Sequence, residues 1–280
     1  MTEIVEDRAL THLSPAESRL GAVFARPRTV AWLCIVALSG LGWAYLALAA
    51  GVAEANGLRG LIAALCRPAA VTGFSPADLA LVFAMWGAMV FAMMLPTAGP
   101  MIFTYAEIAD TAARKGECIV SPFWLTAGYA AVWLGFALMA ALLQAALTSL
   151  ALLDAVASTS WLFSAAVFGL AGVYQFSHLK QACLSVCQRP FPFFFANWTT
   201  KRNEVFRLGL RQGLHCLGCC WAIMLLMLVT GAMNVVWMVA LGLVMTAEKM
   251  SAKPRLSHIV GGCFIVIAAG FAAASVFGIG

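Results

Sequence analysis

Charged residues are scarce in this sequence. Asp, Glu, Lys and Arg make up 10% of the 280 residues, whereas 63% are hydrophobic, and the mean hydropathy is +0.92. So few charges cannot cover the apolar surface of a soluble domain of this length. The composition predicts a polytopic membrane protein with an all-α fold. The net charge of +5 does not indicate a nucleic-acid partner, because the basic residues lie between apolar runs, where membrane orientation requires them.

Three further absences narrow the function. The sequence has no Gly-rich phosphate-binding loop, which argues against an ATP-driven pump. Its apolar runs contain no carboxylate, which disfavours a proton-relay transporter. None of the four histidines (His12, His178, His215 and His258) falls near the middle of a run. This excludes a haem held by two histidines at the bilayer centre, whereas a haem at the inner surface stays open.

Seven runs without Asp, Glu, Lys or Arg approach the roughly 20 residues that a helix needs to cross a bilayer. They cover 30–50, 79–103, 123–147, 161–179, 212–229, 232–247 and 258–279. The fifth and sixth are short and predict a tight hairpin that turns near Gly231 and Asn234. Ser-Pro pairs at Ser14, Ser75 and Ser121 predict helix starts, with Ser as the cap and Pro as the first helical residue.

The charge distribution predicts the orientation. Residues 1–29 are polar and lack the apolar core of a secretory signal, so we expect a cytoplasmic tail with a short interfacial helix from Ser14. Residues 30–280 are expected to form a single transmembrane bundle. With the N-terminus inside, 15 of the 17 Lys and Arg residues lie on the cytoplasmic side, and only Arg59 and Arg67 lie outside. An odd number of spans then places the C-terminus outside.

One short stretch concentrates metal-binding side chains. The sequence "GLHCLGCCWAIM" places His215, Cys216, Cys219 and Cys220 within six positions, at the predicted cytoplasmic end of a span. At about 100° per residue, the four side chains share one face of a helix. The cytoplasm is reducing, so these thiols are not expected to form structural disulfides.

A second pair of thiols, Cys183 and Cys187, follows the fourth run, and the two residues lie four positions apart on one helix face. The basic and aromatic segment that follows is expected along the inner membrane interface, so both cysteine groups lie at one depth. Soft thiolates in short-spaced pairs are typical of sites for Cu(I), Zn(II) or an iron–sulfur cluster. His178 is a weaker candidate because it lies on a different face. The alternative, that Cys packs as a small apolar residue, holds for the four scattered cysteines Cys34, Cys66, Cys118 and Cys263.

The second run carries a methionine stripe. In "MWGAMVFAMMLPTAGP", Met85, Met89 and Met93 lie four positions apart, with Met94 beside them. The two prolines that follow leave backbone carbonyls without helical donors, and these must be satisfied inside the bundle. Thioethers beside such carbonyls suit the passage of a soft cation. Simple packing is the alternative, since Met fills irregular gaps.

These stretches resemble a family of bacterial polytopic proteins described as predicted metal-binding integral membrane proteins, whose function is otherwise unknown. The resemblance is carried by "MWGAMVFAMMLPTAGP", "YQFSHLKQACLSVCQRPFPFF", "GLRQGLHCLGCCWAIMLLMLVTGAMNVVWM" and the Glu-Lys pair at 248–249, and covers most of residues 85–250. One departure is Gln188, where an Arg is expected directly after the second cysteine. The resemblance implies a multi-pass protein of the bacterial inner membrane. It also implies metal binding at Cys183, Cys187, Cys216, Cys219 and Cys220.

Three functions stay open at this point. The first, which we favour, is the binding of a soft transition metal for transport or delivery, with copper preferred over zinc or iron and with a metal chaperone or other membrane subunits as partners. The second is thiol redox chemistry at the CxxC of Cys216 and Cys219. The third is a structural subunit of a larger membrane complex. Glu107 and Glu248 are weaker ligand or proton-acceptor candidates, and solvated loop residues are the alternative. No catalytic residue is assigned.

Overall fold

The computed structural model describes residues 27–51, 76–149, 161–230, 235–251 and 255–277. Every regular element in these ranges is a helix, which confirms the predicted all-α class there. The ten helices of these ranges are α1 Pro27–Gly51, α2 Pro76–Arg114, α3 Pro122–Ser149, α4 Trp161–Gln175, α5 His178–Gln188, α6 Pro190–Ala196, α7 Arg202–Leu225, α8 Met227–Thr230, α9 Val235–Met250 and α10 Arg255–Phe277. The predicted helix at Ser14 and the predicted turn at Gly231 lie outside the described residues.

Five of the described helices are long and apolar enough to cross a membrane. They are α1, α2, α3, α7 continued by α8, and α10. Helices α4 and α5 meet the same criterion only as a pair, bent by 63° at their junction, which raises the number to six. The run 232–247, which we predicted as a further span, corresponds to α9. With 16 residues, α9 is shorter than the roughly 20 that a bilayer core requires.

Helix α2 is the longest described element and holds the centre of the bundle. It begins at Pro76, as the Ser-Pro pair predicts, and its 39 residues extend about 58 Å. It continues as one helix through both prolines. Pro96 has no N–H to donate to the carbonyl of Ala92. This carbonyl instead accepts hydrogen bonds from Trp43 Nε1 at 2.9 Å and Ser39 Oγ at 3.4 Å. Helix α1 therefore supplies the donors that the proline removes.

Helices α3 and α7 cross at two glycines. A Cβ on Gly128 would overlap the carbonyl oxygen of Phe206, and one on Gly209 would overlap that of Leu125. Only glycine permits this close approach of the two backbones. The crossing brings Tyr129 of α3 against the cysteine-bearing face of α7.

The fourth predicted run does not continue straight. Helix α4 ends at Gln175, and Ser177 then caps α5, its hydroxyl accepting the backbone N–H of Lys180 at 3.1 Å. The α5 sequence, "HLKQACLSVCQ", alternates polar and apolar residues, so it packs one face on α7 instead of continuing an apolar span.

Helix α7 begins ten residues before the fifth predicted run. Its first turns belong to the basic and aromatic segment expected along the inner interface, and they are helical. The reason is amphipathicity. Arg202 and Arg207 are exposed, whereas Val205 and Leu208 are buried against the bundle. The cysteines therefore lie in the middle of a long helix and not at its start.

Candidate metal centre

Three thiols of α7 meet inside the bundle. Cys216, Cys219 and Cys220 are buried, and their sulfur atoms all lie within 4.8 Å of one another. The Cys219 and Cys220 sulfurs are 3.2 Å apart. Two thiolates on one ion, each bonded at about 2.3 Å, stand at most about 4.6 Å apart. The three sulfurs are therefore close to the separation that a shared soft ion requires.

Cys216 is the best-connected thiol of the three. The Tyr129 hydroxyl lies 3.0 Å from its sulfur and donates to the Met94 carbonyl at 3.2 Å. The Lys249 ammonium donates to the same sulfur at 3.1 Å and to Thr97 Oγ1 at 2.7 Å. Thiolate is the form that binds metal, so Lys249 places a positive charge beside a sulfur that must become anionic.

Helix α5 contributes its two cysteines differently. The Cys187 thiol interacts with the thiols of Cys216 and Cys219, and Cys187 lines the same cavity as Cys216. Cys183 lies one turn earlier and packs against Gly218, where a Cβ would come within 2.6 Å of its sulfur. Three of the five predicted thiols thus meet within 4.8 Å, Cys187 lies beside them at the cavity, and ligation by Cys183 and Cys187 stays a prediction.

The two histidines lie outside the group of three sulfurs. His215 is half-buried, and its ring meets that of Phe193 edge-on, with a centroid separation of 6.2 Å. His178 is exposed at the start of α5. His215 precedes Cys216 by one residue, so its side chain is rotated about 100° away around the helix. Metal binding by either imidazole stays a prediction.

Both carboxylate candidates are engaged in ion pairs. Glu107 pairs with Arg28 at 2.8 Å, and both side chains are 60% exposed. Glu248 pairs with Lys180 at 2.7 Å, and both are almost fully buried. A buried pair of this kind ties α5 to α9, since neither charge is tolerated there alone. In this arrangement Glu248 stabilises the wall of the site and faces a cation, not the thiols.

Gln188, the departure from the expected Arg, has a structural role. Its Nε2 donates to the carbonyls of Glu248 at 2.8 Å and Ser251 at 2.6 Å, at the C-terminal end of α9. Carbonyls at the C-terminal end of a helix need donors from outside the helix. Gln188 therefore holds the end of α9, and with it Lys249, beside the thiols.

Sequence reasoning missed Lys249, Tyr129 and Thr97 as members of the site. Lys249 was used in the sequence analysis only as part of the Glu-Lys pair, although the predicted topology places it on the same side of the membrane as the cysteines. Tyr129 and Thr97 carry no local signal, because their roles depend on contacts 87 and 152 residues away.

The methionine stripe faces the interior. Met85, Met89, Met93 and Met94 are all buried. Five further methionines from α2, α7, α8 and α9 are buried in the same core, Met101, Met224, Met227, Met238 and Met245. The hydroxyl of Tyr129 links the stripe to the thiols, since it contacts both the Met94 carbonyl and Cys216. Thioether sulfur is therefore more abundant in the core of the bundle than the sequence stripe alone indicated.

A family model described as PpoB2, copper chaperone, matches residues 83–271, more than half of the chain. The matched range includes the methionine stripe and the cysteines of α5 and α7. No curated protein and no solved structure matches the chain. The chain belongs to the PpoB2 copper chaperone family, and the metal in the family's description is the one that the thiol chemistry favoured.

Proposed function

From this membership in a copper chaperone family, we propose that the protein binds Cu(I) through the thiols of α5 and α7 and delivers it to an acceptor. The ligands are Cys216, Cys219, Cys220 and Cys187. The observation that carries the proposal is the mutual approach of three buried sulfurs within 4.8 Å. Thiolates are soft ligands and prefer Cu(I) among the common cellular metals. Copper is the cargo of the site.

The proposed location is the cytoplasmic side of a bacterial inner membrane. Of the 17 Lys and Arg residues, 15 fall on that side in the predicted topology. Exposed Arg211 lies only five residues before Cys216, about 8 Å along α7, so the thiols are near the basic end of the helix. A reducing compartment keeps such thiols free to bind metal.

The methionine stripe is the proposed route from the thiols into the bundle. Met94 adjoins the site through Tyr129, and Met85 lies about 14 Å further along α2. Each thioether on this path is a neutral soft ligand. It holds copper less firmly than a thiolate, as a transfer route requires.

The test is copper binding by the detergent-purified protein, native and with Cys216→Ser and Cys219→Ser combined. We expect about one equivalent of Cu(I) in the native protein and none in the double variant, because a hydroxyl is a poor ligand for this ion. The matched control replaces the exposed Cys118 and Cys263 by Ser and should bind as the native protein does. Equal copper in the native protein and the double variant would disprove the proposal. A protein that binds no copper but reversibly oxidises Cys216 and Cys219 would support redox chemistry instead.

A further inference from the structure

A cavity of about 360 Å³ opens beside the thiols. Its walls come from the proline-containing part of α2, from α3, from the junction of α5 and α6, from α7 and from the end of α9. Cys187 and Cys216 line it, whereas Cys219 and Cys220 are not among the described lining residues. Two thiols of the site are thus reached from the cavity first, and two lie behind them.

The charge of this cavity does not suit a free metal cation. Among the described residues that line it, none is Asp or Glu, and Lys249 supplies a positive charge. The nearest buried carboxylate, Glu248, is turned away and paired with Lys180. A cuprous ion entering alone would meet an ammonium group with no carboxylate to offset it. An anion would meet its countercharge.

The cavity also offers an unused hydrogen-bond acceptor. Gln212 lines it and is 2% exposed, and its Oε1 has no hydrogen-bond partner among the described residues. A buried acceptor without a donor is costly unless a ligand supplies one. An occupant that carries N–H groups would satisfy it.

We propose that copper enters this cavity as a small anionic Cu(I)–thiolate complex whose thiol ligand carries amide groups. The inference rests on the proposed function and names the form in which the cargo arrives. The size of the cavity agrees, since pockets for small molecules begin at about 300 Å³. The same volume excludes a folded protein domain as the occupant.

The transfer is a ligand exchange that balances without any redox change. The Cys187 and Cys216 thiols each form a bond to copper, and each donor thiolate leaves after accepting the proton that a cysteine gives up. A complex with two donor thiolates and a charge of −1 becomes a complex with two cysteine thiolates and the same charge. Copper stays Cu(I), and Lys249 faces a negative charge before and after the exchange. Passage to Cys219 and Cys220 repeats the same step.

The experiment compares two copper donors on the detergent-solubilised full-length protein under anaerobic conditions. One is the Cu(I) complex of glutathione, a small anionic thiolate with amide groups, and the other is the cationic Cu(I) complex of acetonitrile. Each donor is mixed with native protein, Lys249→Gln and Lys249→Arg, and the initial rate of loading is measured. Lys201→Gln is the matched control, because that lysine is exposed and does not line the cavity.

For the glutathione donor, we expect Lys249→Gln to load about tenfold more slowly than native protein, a typical size for lost electrostatic steering. Lys249→Arg should recover most of the rate, and Lys201→Gln should not change it. With the cationic donor, Lys249→Gln should slow loading by a clearly smaller factor, because that donor shares the lost support of the Cys216 thiolate but is not attracted by the ammonium group. Equal slowing with both donors, or no slowing with glutathione, overturns the inference. Failure of native protein to load from either donor would instead reject the proposed function.

The acceptor on Gln212 gives an independent check. Gln212→Leu should raise the concentration of glutathione complex needed for half-maximal loading, and it should have no such effect with an ethanethiol complex, whose ligand carries no hydrogen-bond donor besides its thiol. An equal effect on both thiol complexes would contradict the role given to Gln212, whether or not the Lys249 variants fold.

Discussion

The helices around the thiols and the pair formed by α4 and α10 are equally apolar but differ in burial. The most apolar stretch of the span formed by α7 and α8 has a mean hydropathy of 2.0, and that of α10 has 2.3. In α7 and α8, however, 56% of this stretch is buried, whereas in α10 only 17% is. Helices α4 and α10 pack mainly on each other, with Phe168 against Phe264 and Phe271. Hydropathy alone cannot distinguish the two regions, and burial against other helices does.

The reactive and charged side chains of the site lie in the more buried of the two regions. The thiols, Lys249 and the pair of Lys180 with Glu248 all lie in the buried region. The outer faces of α4 and α10 instead present Leu170 and Val266, each more than 70% exposed. In the proposed membrane these faces meet lipid, where a charge has no partner. A soft-metal site that needs a nearby cation can therefore be built only where several helices surround it.

The largest expected difference between two regions is in the stability lost when a buried ion pair or an exposed one is broken. Glu248→Gln leaves the Lys180 ammonium buried without a countercharge, and we expect a loss of about 3–5 kcal/mol in the free energy of unfolding. The matched substitution Glu107→Gln breaks the exposed pair with Arg28 and should cost at most about 1 kcal/mol. Unfolding in mixed detergent micelles measures both. The double variant Lys180→Met, Glu248→Met should recover most of the loss. Equal effects of the two Gln variants would show that the pair of α5 and α9 is not buried.

The second largest difference is expected between alanine substitutions of a glycine at the helix crossing and of a glycine away from it. Gly128→Ala forces a methyl group into the carbonyl of Phe206 and should destabilise the protein by about 1–3 kcal/mol. Gly135 lies two turns further along α3, where a methyl group would have no packing neighbour within 4 Å. Gly135→Ala should be neutral or stabilise by up to about 1 kcal/mol, because alanine favours helix. The same unfolding measurement tests both, and a tolerated Gly128→Ala would contradict the close crossing of α3 and α7.

Sequence reasoning reached the local features of this fold. Helix starts at Pro76 and Pro122 follow from Ser-Pro capping, and Ser121 indeed caps α3, its hydroxyl accepting the Phe123 N–H at 3.3 Å. The meeting of Cys216 with the two later thiols of α7 follows from their i, i+3 and i+4 spacing. These features depend on neighbours within one or two helical turns, so the sequence contains their cause.

The features that it missed depend on distant contacts. The pairing of Lys180 with Glu248 joins residues 68 positions apart, and Lys249 reaches Thr97 across 152. The 63° bend after Gln175 depends on the packing of α5 against α7. The charge-free runs also omit the start of α7 at Arg202, because the first turns of an amphipathic helix contain charged residues.

Methionine substitutions give the smallest expected effect on stability and the sharpest test of the route. Met89→Leu combined with Met93→Leu keeps the volume and apolar character of two buried side chains, so it should cost less than about 1.5 kcal/mol for each substitution. It removes two thioethers, so release of copper from the thiols should slow severalfold while the copper bound at equilibrium stays unchanged. Met139→Leu, at an exposed position, is the matched control and should alter neither quantity. The measurement is transfer of Cu(I) from loaded protein in liposomes to a chelator. Unchanged transfer in the double variant would assign the stripe to packing alone, and the thiols would then exchange copper only through the cavity at Lys249.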